Sequence, residues 1–139
     1  MIYETVSVGQ ANEAIEADHR ALHALVDQLS QGLDQKRAAA VLESLHARMA
    51  AHFLREEQPG GLYDTLGVCV PRLRRPLARL VDDHYRLSAT VRDLRERARA
   101  PWDATAEMLA ADVARLVAAL ADHERLESAL IADAVASEA

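Results

Sequence analysis

The stretch ADHERLESAL, residues 121–130, sets an imidazole and a carboxylate four residues apart, His123 and Glu127, in step with Leu116, Leu120 and Leu130. Residues spaced by three and four share one face of an α-helix. Two polar groups therefore lie on the stripe that should be this helix's share of a hydrophobic core.

Working outward, capping and breaking residues divide the chain into four such helices. A helical pattern starting near Asn12, a suitable N-cap, runs to Gly32. Asp34 is placed to cap a second helix, which must stop at QPGG, residues 58–61. An apolar loop containing LGVCVP follows. Pro76 suits the first turn of a third helix ending near Ala100 and Pro101. Asp103 suits the cap of a fourth, which runs almost to the C-terminus. Short links between helices 1 and 2 and between 3 and 4 predict antiparallel neighbours. The expected fold is all-α, an up-down-up-down antiparallel four-helix bundle, with residues 1–139 forming one domain.

Composition agrees. Half of the 139 residues are apolar but only 4% are aromatic, with five glycines and four prolines, which suits helices and argues against a sandwich or barrel. A net charge of −6 excludes nucleic acid as a natural partner. Nine arginines against four acidic residues between positions 71 and 99 read as a solvated helix face. Cys69 is the only cysteine, so no internal disulfide forms, and its apolar setting predicts an unreactive packed thiol. The N-terminus MIYETVSVGQ lacks the basic and apolar regions of an export signal, and nowhere are 18 apolar residues consecutive. A cytoplasmic protein with no membrane association is expected.

The apolar residues alone fix the phase of each seam. Helix 1 reads Ile15, His19, Leu22, Val26, Leu29, and helix 2 reads Leu42, Leu45, Met49, His52, Glu56. Helix 3 reads Leu77, Leu80, His84, Leu87, Val91, Leu94, and helix 4 reads Val113, Leu116, Leu120, His123, Glu127, Leu130. The polar intruders repeat. ADHRALHALVDQL (17–29) aligns with DDHYRLSATVRDL (82–94), His19 on His84, and LHARMAAHFLREE (45–57) aligns with LVAALADHERLES (116–128), His52 on His123. Each half carries a lone core histidine on one helix and a His-x-x-x-Glu pair on the next.

Four imidazoles and two carboxylates thus point into the core: His19, His52, Glu56, His84, His123 and Glu127. An unsatisfied buried polar group costs roughly 1–3 kcal/mol, so six of them would consume a cost on the order of 10 kcal/mol, a domain's whole net stability. Neutral imidazole nitrogens and carboxylate oxygens are natural metal ligands, and six donors suit two ions with the carboxylates between them. His23, one turn after His19, and His46, one position off phase, read as surface or boundary residues. His23 is the better reserve ligand.

This ordered set resembles the hemerythrin family in its bacterial hemerythrin-like (HHE) branch. The carrying segments are DHRALHALVDQL with His19, HFLREE with His52 and Glu56, DDHYRL with His84, and DHERLE with His123 and Glu127. The similarity spans residues 12 to about 132. It implies a non-haem di-iron site (Fe–O–Fe) bridged by two carboxylates and a solvent-derived oxygen. His19, His52, His84 and His123 would be terminal ligands, with Glu56 and Glu127 as bridges, and manganese or zinc possible substitutes for iron. One iron would keep an open position for O₂, peroxide or a small anion.

The sequence departs from the oxygen carriers of that family. Their third helix offers two histidines one turn apart, whereas His84 has Leu80 and Ser88 at that spacing. His23, Glu57, a tyrosine or water must fill in. Their fourth helix ends its pair with an aspartate at wider spacing, where Glu127 stands here. Glu56 also sits on the last turn before QPGG. A ferritin-like di-iron bundle would need Glu-x-x-His on two helices. EADH (16–19) and ESLH (43–46) match, but Glu16 and Glu43 lie off the seam and the later helices have nothing comparable.

The expected function is binding of O₂ or a related small oxidant for sensing, storage or scavenging. The alternatives are a di-iron oxidoreductase reducing peroxide or oxidising ferrous iron, an iron-handling or repair protein, and a metal-free bundle. The sequence leaves enzymatic turnover undecided. Expected partners are a diatomic or peroxide ligand, and the chain acts as a monomer or homodimer.

Overall fold

The structure, a computed structural model, describes residues 8–32, 34–100 and 106–138. They form helices α1 (Val8–Ser30), α2 (Gln35–Glu57), α3 (Leu62–Cys69), α4 (Arg74–Arg99) and α5 (Ala106–Glu138), with a 3₁₀ turn at Pro71–Leu73. No strand occurs among the described residues. The four long helices pack as a ring in the order α1, α2, α4, α5 and back to α1. No described helix is long and apolar enough to cross a membrane.

Several boundaries follow from local chemistry. Asp34 caps α2 by accepting the Arg37 backbone N–H at 2.9 Å. Gly32 takes φ +74° just beyond α1, a left-handed turn that favours glycine. Pro76 lies in the first turn of α4, where its missing N–H is not needed. Asn12 does not cap α1. The helix already runs from Val8, and the one glycine in that first turn is too weak a breaker to stop it. Asp103 lies outside the described residues.

The segment expected to be a loop is the largest difference. Its residues form α3 and the 3₁₀ turn, and Leu62, Tyr63, Leu66, Val70 and Leu73 are buried against the bundle. Gly61 makes this possible: a Cβ there would come within 2.3 Å of the Arg55 carbonyl oxygen, so only glycine lets α3 start hard against the end of α2. Cys69 ends α3 and is exposed, contrary to the packed thiol expected, because it lies at the edge of the buried face in the helix's last turn.

The helical seams bury as their phase predicts. Leu42, Leu45, Val91 and Leu116 are at most 1% exposed, each worth about 1.5–3 kcal/mol relative to exposure. One apolar cluster runs from Leu22 to Leu116 through Met49 and Val91. A second gathers Ile15, Leu66, Leu77 and Ile131 around α3. The polar seam residues lie between them. Outside, four of the eight arginines of α4 stand in ion pairs, Arg86 with Asp83, Arg95 with Glu96, Arg97 with Asp93 and Asp112, and Arg99 with Glu43, and Arg72 of the 3₁₀ turn meets Asp133.

Candidate metal centre

Each long helix brings one imidazole to the same level because its leucines fix the seam. On one side, His19 Nε2 (α1) lies 3.2 Å from Glu127 Oε1 (α5), and His52 Nε2 lies 3.2 Å from Glu56 Oε1 one turn along α2. One ligating atom from each of these four side chains falls within 4.8 Å of the others. On the other side, His84 Nε2 (α4) and His123 Nε2 (α5) stand 3.1 Å apart, and both cluster in the same way with Glu127. Glu127 thus belongs to both groups. Glu56 Oε1 is also 3.4 Å from His84 Nε2, so both carboxylates stand between the two imidazole pairs. The structure brings all six sequence-predicted residues together.

Burial sets their charges. His52, Glu56, His84, His123 and Glu127 are buried, and His19 is half-buried. Burial, reinforced by the neighbouring His123, pulls His84 down to about 3, and burial likewise lowers His52. Both are therefore neutral near pH 7, the form that ligates metal. His19 moves the other way: Glu127 raises it against the pull of burial. Burial, with the Glu127 carboxylate beside it, pushes Glu56 well up. Glu127 stays below the usual range despite its burial, through contacts with His19, Glu56 and Tyr63. In the metal-free protein the two carboxylates cannot both ionise without cost, and Glu56 is the one held towards its neutral form.

The donor set fits a cation. Both oxygens of Glu56 and Glu127 Oε1 are buried and lack a hydrogen-bond partner among the described residues. Native buried polar atoms seldom remain unpartnered, and buried oxygens that converge with imidazole nitrogens are what an ion with nitrogen and oxygen preference requires.

Acidic groups stand behind the imidazoles. Asp18 Oδ2 lies 3.1 Å from His52 Nδ1 and is itself clamped by Arg55 through two bonds of 2.7 and 2.6 Å. Glu57 Oε2 lies 2.8 Å from His84 Nδ1, and Asp83 Oδ2 lies 3.5 Å from His123 Nδ1. Such partners fix ring orientation and raise ligand basicity. Sequence reading named none of the aspartates, although Asp-His occurs at 18–19 and again at 83–84, at matching places in the internal repeat.

It allowed for a tyrosine as a stand-in ligand without singling out Tyr63. This buried residue of α3 donates its hydroxyl to Glu127 Oε2 at 2.6 Å and lies 3.0 Å from His84 Nε2. Burial, then the nearby Glu127, pushes its pKa upward, so the free phenol keeps its proton. Phe53 stacks flat on the His84 ring, with centroids 3.7 Å apart. His23 turns away from the centre and meets Glu124 at 2.5 Å. His46 is half-buried beside Arg95, 3.5 Å off, and reaches none of the site. The last turn of α2 is held by the Gln58 N–H, which donates to Leu54 at 2.9 Å, so Glu56 sits on an ordered turn.

Nothing among curated proteins or solved structures matches the chain. The Hemerythrin HHE cation binding domain matches residues 10–135, a span that contains every residue of this centre. A ring of helices that converges four histidines and two glutamates on one buried point is thus accompanied by a sequence match over most of its length, and the chain belongs to the hemerythrin HHE cation-binding domain family.

Proposed function

We propose that the chain is a non-haem di-iron protein that binds O₂ or a related small oxidant and serves in sensing, storage or scavenging. One observation carries this reading: two clusters of ligating atoms, His19/His52/Glu56/Glu127 and His84/His123/Glu127, share a carboxylate. His19 and His52 would hold one ion and His84 and His123 the other, with Glu56 and Glu127 available to both. Manganese or zinc would be accepted by the same donors. The order of neighbours around the ring supports an up-down-up-down course.

Of the groups able to stand in for a second histidine on α4, geometry favours Tyr63. Its hydroxyl already lies among the second cluster's ligating atoms, whereas His23 is engaged by Glu124 and Glu57 meets the outer nitrogen of His84. Bound iron supplies an exchangeable position and a change of oxidation state. The chain's own residues keep His52 and His84 neutral and orient the rings through Asp18 and Glu57, and when Tyr63 is not itself a ligand they hold its proton against Glu127 Oε2. That proton favours a second reading, an oxidoreductase that reduces peroxide or oxidises ferrous iron, since a positioned phenol can act as a general acid.

An anaerobic titration separates the two. The iron-loaded protein is reduced, given limiting O₂ and followed in the near-ultraviolet and visible. A band that forms and disappears when O₂ is removed supports binding. Immediate irreversible oxidation, with catalytic loss of added peroxide, supports the enzyme. Failure to take up iron overturns both.

A further inference from the structure

A cavity of about 110 Å³ lies against the His19–His52 side of the centre, in the seam between α1 and α5. His19, His52, His123 and Glu127 form its polar end. From there it runs along α1 to Val26 and along α5 to Val117, seven and six residues from His19 and His123, which is about 10 Å of helix. Between those limits its walls are aliphatic or aromatic, and His23 and Glu124 join across its rim at 2.5 Å.

This size and shape exceed what a diatomic molecule needs. Roughly 10–15 Å³ suffices for one water, and an engineered apolar cavity of about 150 Å³ holds benzene. The space occupied by the ions cannot account for it either: the ligating atoms sit within 4.8 Å of one another, while Val26 and Val117 lie two turns away. Close-packed interiors seldom leave such a void beside a functional centre.

We propose that this cavity is the binding site for a small organic molecule with an apolar body of about six heavy atoms, which presents a polar end to the His19–His52 side. This rests on the metal reading for the polar end only. The apolar body is selected by Leu22, Val26, Val117 and Leu120, which give an organic compound contacts that a bare diatomic or inorganic anion does not make.

The test uses the full chain and benzene as the apolar probe. In metal-free protein, benzene should bind saturably and shift the methyl resonances of Leu22, Val26, Val117 and Leu120. Val117→Phe and Val26→Phe each fill the cavity from one wall and should weaken benzene binding at least tenfold while leaving iron uptake unchanged. In iron-loaded protein, saturating benzene should raise the apparent Kd for azide, read from its visible band, at least fivefold. Absence of methyl shifts, benzene affinity unaffected by both substitutions, or azide binding indifferent to benzene would each overturn the proposal with the metal reading intact. Methyl shifts in a protein that takes up no iron would support the apolar site while removing the metal reading.

Discussion

The two sides of the centre are built from matching halves of the sequence and end in different surroundings. His19 and His52 face an apolar cavity that reaches the α1–α5 seam, and His19 keeps a side-chain exposure of 20%. His84 and His123, at 3% and 6%, are more deeply buried: Phe53 and Tyr63 cover the His84 ring, and His123 meets the cavity only at its polar end. The repeat fixes the imidazoles and the aspartates behind them, Asp18 for His52 and Asp83 for His123. The asymmetry comes from what lies between the halves. The chain passing from α2 to α4 lays α3 across the end of the bundle against all four long helices, and Tyr63 alone turns its hydroxyl to Glu127 and His84, so that pair gains an oxygen donor while the cavity approaches from the His19–His52 side.

The largest effect should come from removing what the sides share. Glu127→Ala deprives both clusters of a common oxygen and leaves His19 and Tyr63 without their partner. Iron content should fall from two per chain to none, with a loss of roughly 3 kcal/mol in urea unfolding. A variant that keeps two irons would show that Glu127 does not bridge.

Next, Tyr63→Phe should separate the sides. It should weaken the ion held by His84 and His123 by about 10- to 100-fold and leave the other unchanged, which a two-step metal isotherm reads directly. Equal weakening of both steps would mean that Tyr63 acts through Glu127 alone. Smaller and opposite in location, Asp18→Asn should weaken the His19–His52 ion, and Glu57→Gln the His84–His123 ion, each by about tenfold.

Glu56 gives a test by pH in metal-free protein. Its carboxyl is raised above the ordinary value of 4.5, so the folded chain holds a proton that the unfolded chain releases. Its contribution to stability is therefore complete below that value and is lost as pH rises towards the folded-state pKa. Glu56→Gln removes this loss, and its stability advantage over the parent protein should widen from pH 4.5 to pH 8. Parallel curves would contradict the burial argument. Least affected of all should be His46→Ala, which touches neither side: iron content unchanged and stability within about 0.5 kcal/mol.

What was legible in the sequence is what helical periodicity carries. Leu45 and Met49 fix where His52 and Glu56 must point, and Leu80 and Leu87 do the same for His84, so the six polar seam residues could be read without coordinates. Tyr63 could not. Its place depends on Gly61 closing against the Arg55 carbonyl and on eight residues too few for a helical stripe to stand out between two glycines and a proline. The acids behind the rings were hidden for a related reason: Asp18 sits beside His19 in sequence but serves His52 across a helix interface, a relation that only packing creates. The exposed Cys69 and the early start of α1 belong to the same class, set by neighbours and not by pattern.

The central claim is that two ions lie between these sides. A crystal of iron-loaded protein, measured at the iron absorption edge, should show two anomalous peaks about 3.5–4 Å apart, one against His19 and His52, the other against His84 and His123, with Glu56 and Glu127 between. A single peak, or none with the six side chains bonded only to one another, would contradict it.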